Sequence, residues 1–430
     1  MSERNGEHRA APLRVAYVTM LFPAGSETFA CLDVRELGRK GLEVAVHSLR
    51  PPNGDVERLA RERGLEGVER TYNGWAASAR GLGSMLAEPG LSARYLWRLV
   101  RLMAARPREL LKSLVLLPRA FEVLQRLRRD RPDVVHVYWG HYPSLVGALV
   151  QEHLPSTVVS ISLGAYDLVA EYPLSTVVAQ RAEFVRTHGH ANVAELVERV
   201  GVAEERVAVV FNGIDLDLAP ATLEPGPRVP GRVVTAGRLV AKKAVDDVLR
   251  AFGEVRAQVP HATLEVFGDG PERGHLEKLV HGLGMTDSVT FRGHQGQREL
   301  FAALARAEVF LFMSRSPSER LPNVVKEAMA CGAVCVSAES VGLDELIPGP
   351  DHGVVVAQGD VDAAARAVVD LLRDPDRART LRQNARRYVT EHFDVRRTTD
   401  AYLERWRAAA ARRSTGTEAV VVERPAAPTT

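Results

Sequence analysis

Short runs rich in valine return along the chain, and longer stretches with helical spacing of apolar residues separate them. "LRVAYVTM" precedes "ETFACLDVRELGRKG", and "EVAVHSL" follows it. Buried runs of this length alternating with amphipathic segments mark parallel strands joined by helical crossovers that cover the sheet. The same reading places strands in "DVVHVYW", "STVVSIS", "EFVRTHG" and "RVAVVF", then in "GRVVTAG", "ATLEVFG", "SVTFRG", "EVFLFMS" and "AVCVSAE". The fold class expected is therefore α/β. A chain of 430 residues exceeds what one growing core holds, and the strand set divides near Gly213, which predicts two parallel-sheet domains. Between them "APATLEPGPRVPG", residues 219–231, resists helix and central strand and reads as a linker or surface loop. The stretch beginning "DAAARAVVDLLRD" and ending "YLERWRAA" reads as two or three amphipathic helices.

Several function classes recede on composition. Lysine and arginine number 56 against 54 acids, a net charge of +2, so the chain as a whole carries no electrostatic signature of nucleic-acid binding. Cys31, Cys331 and Cys335 are odd in number and lack metal-ligand spacing, which fits a reducing, cytoplasmic compartment. Arginines interrupt every candidate for the ~20 apolar residues of a membrane span. The opening "MSERNGEHRAAP" carries acids and leads into no apolar export region.

Three stretches carry chemistry. In "VVTAGRLVAKKAVDDVLRAF" a buried strand turns at Gly237 and presents Arg238, Lys242 and Lys243 at its carboxyl end, where open parallel sheets bind ligands. An arginine fork and a lysine point charge suit a diphosphate; basic residues of such a loop are also commonly solvated. "LEVFGDGPERGHLEKL" repeats the plan, with Gly268 and Gly270 before a helix whose first N–H groups suit an anion. Its spacing misses the dinucleotide fingerprint by one residue. In "SPSERLPNVVKEAMACG" two glutamates stand eight positions apart, Glu319 in a loop and Glu327 inside a helix opened by Pro322. Both can face one ligand, and carboxylates accept from the vicinal hydroxyls of ribose or hexose. Taken singly, each also fits a capping or surface carboxylate. Asp215 and Asp217 in "NGIDLDLAP" resemble a metal-binding pair but follow a turn dipeptide and read as turn and cap residues.

Over residues 207–395 the motifs "NGID", "GRLVAKK", "GDGP", "FRG", "SERLPNVVKEAMACG", "VGLDELI" and "HGVVV" follow one another in the order of the retaining GT-B glycosyltransferases of family four, which this chain resembles. In the first half "FPAGSETFACLDVREL" is similar to members that assemble exopolysaccharides. The resemblance implies two Rossmann-like domains facing a central cleft. Residues 13–210 would form the acceptor domain and 211–395 the nucleotide-sugar domain; 396–413 would be a helix returning to the first domain, and 1–12 and 414–430 disordered ends. It also implies that Glu327 holds the ribose, Glu319 a sugar hydroxyl, and Arg238 with Lys243 the diphosphate. Gly237, Gly268 and Gly270 would shape the donor pocket, and Leu321, Pro322, Asn323 and Val324 would bring N–H groups to it. The family's N-domain acid is kept as Asp167. Arg238, Lys243, Glu319 and Asp167 are thus the catalytic candidates, with no metal and no cofactor beyond the nucleotide-sugar co-substrate. Family members usually have glycine where this chain has Arg320 and Ala244, and commonly histidines where it has Gly164 and Tyr138.

The implied reaction moves a hexose or N-acetylhexosamine with retention, from a UDP-sugar such as UDP-GlcNAc or UDP-glucose, or from GDP-mannose, to a saccharide hydroxyl. On the acceptor side Glu27, Thr28, His141, Asp167 and His188 are the candidates, with His190 a further histidine near a strand end. Acids near the expected cleft, Glu27, Asp33, Asp167 and Glu171, suit a cationic aminocyclitol or aminoglycoside. Residues 91–131 hold eleven basic residues against three acids with Trp97 and Phe121 interleaved. That pattern suits peripheral contact with the inner face of the cell membrane and a lipid-linked exopolysaccharide intermediate; domain-surface helices carry the same pattern. A nucleotide-sugar epimerase of the same fold and an inactive sugar-nucleotide-binding protein are the alternatives.

Overall fold

The computed structural model describes residues 12–24, 28–52, 54, 56–219 and 228–414. Glu27 and most of the 219–231 linker lie outside them. The first sheet is built from β1 (Arg14–Thr19), β2 (Glu43–Ser48), β3 (Glu69–Tyr72), β4 (Val134–Tyr138), β5 (Val158–Ser162), β6 (Phe184–Thr187) and β7 (Val207–Val209), in the order β3-β2-β1-β4-β5-β6-β7. The second holds β8 (Arg232–Ala236), β9 (Thr263–Phe267), β10 (Val289–Gly293), β11 (Val309–Phe312), β12 (Val334–Ala338) and β13 (Val354–Val356), in the order β10-β9-β8-β11-β12-β13. Every pairing is parallel. The molecule is therefore an α/β protein of two Rossmann-like domains, the GT-B arrangement.

Central strands such as β4 (VVHVY) and β5 (VVSIS) are buried at every position, as a sheet covered on both faces requires. Two strands escape the reading of apolar runs, and both lie at sheet edges: β3 is the polar "ERTY", and β13 is only three residues long.

Each sheet reverses its strand order once, between β1 and β4 in the first and between β8 and β11 in the second. At such a point the loops leaving neighbouring strands diverge and open a crevice for ligands. The loops after β8 and β11 carry Arg238 and Glu319, and the loop after β4 carries His141.

The chain crosses between domains twice at one place. Ile214 bridges to Asp394, its N–H donating to the Phe393 carbonyl at 2.8 Å while Val395 N–H donates to Ile214 O at 3.2 Å. The closing stretch forms helices Val361–Arg373, Pro375–His392 and Val395–Ser414. The last lies on the first domain, where buried Trp406 donates from Nε1 to Ser160 Oγ at 2.8 Å. Truncating a buried tryptophan typically costs about 3–5 kcal/mol, so this contact holds the crossing in place. Beside it Arg186 lies 3.7 Å from Asp33, both buried, and donates to Asn212 Oδ1 at 3.0 Å. Among the described residues no helix is long and apolar enough to cross a membrane.

Candidate active site

The donor side is assembled from three strand ends. After β8, Gly237 leads to Arg238, whose exposed side chain meets no carboxylate among the described residues. A short turn, Ala241–Lys243, then ends at Ala244 with φ 47° and ψ 44°. This is the left-handed region that favours glycine, the residue expected there from the family pattern.

The turn after β9 packs directly on this loop. A Cβ at Gly268 (φ 125°) would fall 1.9 Å from Gly237 O, and one at Gly270 would fall 2.3 Å from Leu239 O. Both glycines are thus demanded by loop-against-loop contact, with Leu239 N–H donating to Asp269 O at 3.0 Å. Close approach to a ligand is not needed to explain them.

After β11 the loop bends through Ser314 and Ser316 to Glu319. Lys243 Nζ donates to Glu319 Oε2, which also accepts from Ser314 Oγ at 3.1 Å. Two residues expected to hold different parts of the donor therefore hold each other. A ligand with a diphosphate and a hydroxyl offers each a replacement partner. Leu321 is buried, and Pro322 stands at the N-cap of helix Asn323–Ala330, just before its first residue. The N–H groups of Asn323 and Val324 meet no acceptor among the described residues and stand open at the helix start.

Glu327 sits further along this helix and accepts from Gln297 Nε2 at 3.0 Å. Burial pushes its carboxyl up to about 7; Gln297, Lys326 and Arg63 pull the other way. Lys326 turns inward, fully buried, donating to Asn212 O at 3.1 Å and Asn323 Oδ1 at 3.2 Å. Burial lowers its ammonium to about 7. Neither Gln297 nor Lys326 was recognisable from sequence, because each role depends on what lies across the fold.

On the acceptor side Asp167 is buried and engaged by its neighbours. Its oxygens accept from Gly140 N at 2.8 Å and Gly164 N at 2.9 Å, and His141 Nδ1 lies 3.0 Å from Oδ1. Beside it His141 is partly exposed and stacked on Tyr166 with ring centroids 5.0 Å apart. A Cβ at Gly164 would lie 2.7 Å from His188 Cε1 and 2.8 Å from Trp139 Cζ3. The space of a side chain at 164 is thus taken by the imidazole of His188. Burial, then Lys326, Arg186 and Arg320, lowers that imidazole to about 3, so it is neutral at ordinary pH. Tyr138 is buried between Tyr17, His136 and Trp139. Thr28 begins helix Thr28–Arg39.

The acids expected to line the cleft for a cationic acceptor are engaged elsewhere. Asp33 is paired with Arg186, and Glu171 with Arg199 and Arg106. Asp215 accepts from Asp217 N at 3.1 Å and pairs with Arg35 at 2.8 Å, so this aspartate serves the turn. Among the described residues no three His, Cys, Asp or Glu side chains converge as for a metal ion.

Arg320 does not enter the donor pocket. It reaches across to the first domain, donating to Ala191 O at 3.1 Å, to Asn192 Oδ1 and to Glu195 Oε1 at 2.6 Å. Nearby Glu345 accepts from His190 N at 2.7 Å, lies 2.8 Å from His190 Nδ1, and accepts from Ala191 N at 3.0 Å. The residue departing from the family's glycine is thus an interdomain clasp next to Glu319. Glu345 lies in "VGLDELI", a motif whose place in the fold only the second domain's approach reveals.

Comparison with known proteins agrees with this geometry. Residues 230–374 match the family described as Glycosyl transferases group 1. A GDP-mannose-dependent alpha-(1-6)-phosphatidylinositol monomannoside mannosyltransferase of Mycolicibacterium smegmatis is 36% identical over 169 residues, 38% of this chain and 44% of that protein. The matched stretch therefore spans less than half of that relative's length. An N-acetyl-alpha-D-glucosaminyl L-malate synthase of Bacillus anthracis is 26% identical, over 66% of this chain and 76% of that protein. Among solved structures, Anabaena HepE in complex with UDP superposes with a TM-score of 0.67 at 18% identity, over 92% of this chain and all of that one. Sucrose-phosphate synthase of Thermosynechococcus elongatus gives 0.71 at 18% identity, over 93% of this chain and all of that one. That family match falls on the domain carrying Arg238, Lys243, Glu319 and Glu327, and the two parallel sheets are arranged as in those structures, which gives the chain the GT-B fold and its second domain the likeness of a group 1 glycosyl transferase.

Proposed function

We propose that this protein is a retaining, metal-independent glycosyltransferase that moves a hexose or N-acetylhexosamine from a nucleoside diphosphate sugar to a saccharide hydroxyl. The observation that carries the reading is the Lys243–Glu319 pair at the β8 and β11 ends, beside the open N–H groups of Asn323 and Val324. Cation and carboxylate exchange each other for diphosphate and sugar hydroxyl when the donor enters. Glu327, once ionised, accepts from the ribose hydroxyls. As the anomeric carbon–oxygen bond breaks, charge grows on the departing diphosphate between Arg238, Lys243 and the helix N–H groups. Removing one such preorganised group typically costs ~10²–10³ in rate. The acceptor hydroxyl attacks from the face the diphosphate leaves, and the departing phosphate oxygen takes its proton. On the opposite wall His141, held by Asp167, orients the acceptor.

A UDP-sugar is the first donor to test and GDP-mannose the second. For the acceptor, the engagement of Asp33, Asp167 and Glu171 argues against a cationic aminocyclitol and favours a lipid-linked saccharide met at the inner membrane face. A thermal-shift series with UDP- and GDP-sugars and with NAD tests the class. Stabilisation by a nucleoside diphosphate sugar and none by NAD is expected; the reverse would contradict it. Transfer to an acceptor then separates this reading from an epimerase or an inactive binding protein.

A further inference from the structure

Eight of the thirteen large apolar side chains exposed on the described surface fall between residues 75 and 115: Trp75, Leu82, Leu86, Leu96, Trp97, Val100, Leu111 and Val115. They belong to helices Trp75–Ala87, Pro89–Met103 and Pro107–Asp130. Trp75 is 84% exposed, Trp97 61% and Leu111 64%, which no ordinary solvated face requires. Sequence spacing shows two continuous rows. On the second helix the exposed positions 93, 97, 100, 101 and 104 oppose buried Leu91, Tyr95, Leu99 and Met103. On the third, exposed Arg108, Leu111, Lys112 and Val115 form one line, and Trp75 stands over the next residue on it, Arg119, at 5.9 Å. Phe121, by contrast, is fully buried and belongs to the core.

Charge identifies the occupant. Arg94, Arg101, Arg108 and Lys112 are exposed among these apolar residues, and no acid between 75 and 115 is exposed. A second copy of the chain would set this patch against itself and bring cations against cations. An anionic bilayer complements both features: aromatic and aliphatic side chains enter the headgroup boundary, and the cations meet lipid phosphates.

The patch also has an address. Arg106, in the connection between the second and third helices, donates to Ala170 O at 3.2 Å and to Glu171 O at 2.6 Å. Those carbonyls end helix Ala165–Ala170, which carries Asp167 and, through it, His141. A cavity of about 250 Å³ lies there, lined by Arg106, Asp167, Glu171, Tyr172 and Arg199 among others.

We infer that the helical hairpin of residues 89–115, with Trp75 beside it, seats the protein on an anionic lipid bilayer and so delivers a bilayer-anchored acceptor to His141. The docking stands on the surface alone; the delivery rests on the transferase reading. Co-sedimentation of the full chain with vesicles of phosphatidylglycerol and phosphatidylcholine, compared with pure phosphatidylcholine, tests it. Binding to the anionic vesicles, weakened by salt, is expected. Each basic residue at such a surface contributes about fivefold, so Arg101→Gln with Lys112→Gln lowers binding about 25-fold. Trp97→Ser with Leu111→Ser lowers it without removing the salt dependence. Equal binding to both vesicles, no binding to either, or binding indifferent to both double variants would overturn the inference. Self-association abolished by Trp97→Ser, with no vesicle binding, would assign the patch to a second copy instead. All these positions are exposed, and unchanged melting temperatures show that the variants fold. The nucleotide-sugar thermal shift on the same variants keeps the two readings apart: docking can fail while the shift persists, and the shift can fail while docking persists.

Discussion

The two walls of the cleft are built differently. The donor wall takes its chemistry from three short stretches, 237–243, 268–270 and 319–327, each leaving the end of a strand in the second sheet. The opposite wall, proposed for the acceptor, collects Thr28 and Asp167 from two helices and His141 and His188 from two loops, and its closing contacts come from the other domain through Arg320 and Glu345. A wall made of contiguous loops keeps its function in a local pattern of residues. One gathered from across the fold shows its function only when folded.

If that contrast is right, damage to the donor wall acts on the chemical step, and damage to the acceptor wall or the clasp acts on assembly. The largest effect belongs to Lys243→Ala, which leaves Glu319 without its cation and the diphosphate without a point charge: transfer falls ~10²–10³-fold with the melting temperature nearly unchanged. Next comes Arg320→Ala. Its charge-assisted hydrogen bonds contribute about 1.5–3 kcal/mol each, so kcat/KM falls roughly 10- to 100-fold. Added donor at saturation recovers most of that loss, whereas for Lys243→Ala a loss in kcat persists at saturation.

The pH dependence sharpens the donor side. Glu327 is raised from its ordinary 4.5 to about 7 in the folded chain. Below 4.5 the folded and unfolded chains both hold the proton, and between 4.5 and 7 only the folded chain keeps it, so this group's contribution to stability declines across that window and is constant above it. Ribose hydroxyls donate to the ionised form, so donor affinity rises as pH passes through about 7. Titration calorimetry at several pH values checks this, and Glu327→Gln loses the slope.

On the acceptor wall, Asp167→Asn weakens the hold on His141. It lowers kcat roughly tenfold, the worth of one charge-assisted hydrogen bond, with donor KM unchanged. The smallest effect is structural. Ala244→Gly relieves a left-handed alanine, adding about 1 kcal/mol and raising Tm by about 2–4 °C, which calorimetry resolves.

The same contrast explains how far the sequence could be read. Strands buried on both faces declare themselves through runs such as "VVHVY", whereas their order in the sheets, and with it the two switch points, shows only in the fold. The edge strands β3 and β13 have too little to bury to show a pattern. The E-x7-E pair and the lysine of "GRLVAKK" were legible because strand end, turn and helix start are local features. That Lys243 and Glu319 grip each other was not. Asp167 was legible as an acid yet not as the support of His141, since its partners are backbone groups at 140 and 164. Arg320 showed in the sequence only as a departure from the family's glycine; the approach of Asn192 and Glu195 makes it a clasp.

The central claim is that the second domain receives a nucleoside diphosphate sugar between Lys243, Glu319 and Glu327. Calorimetric titration of UDP- and GDP-sugars into the chain and into Lys243→Ala tests it most directly. The account predicts saturable binding of one of these donors to the parent chain, weakened at least tenfold in the variant, and no binding of NAD to either. Equal donor affinity in the two proteins, or heat from NAD alone, would contradict it.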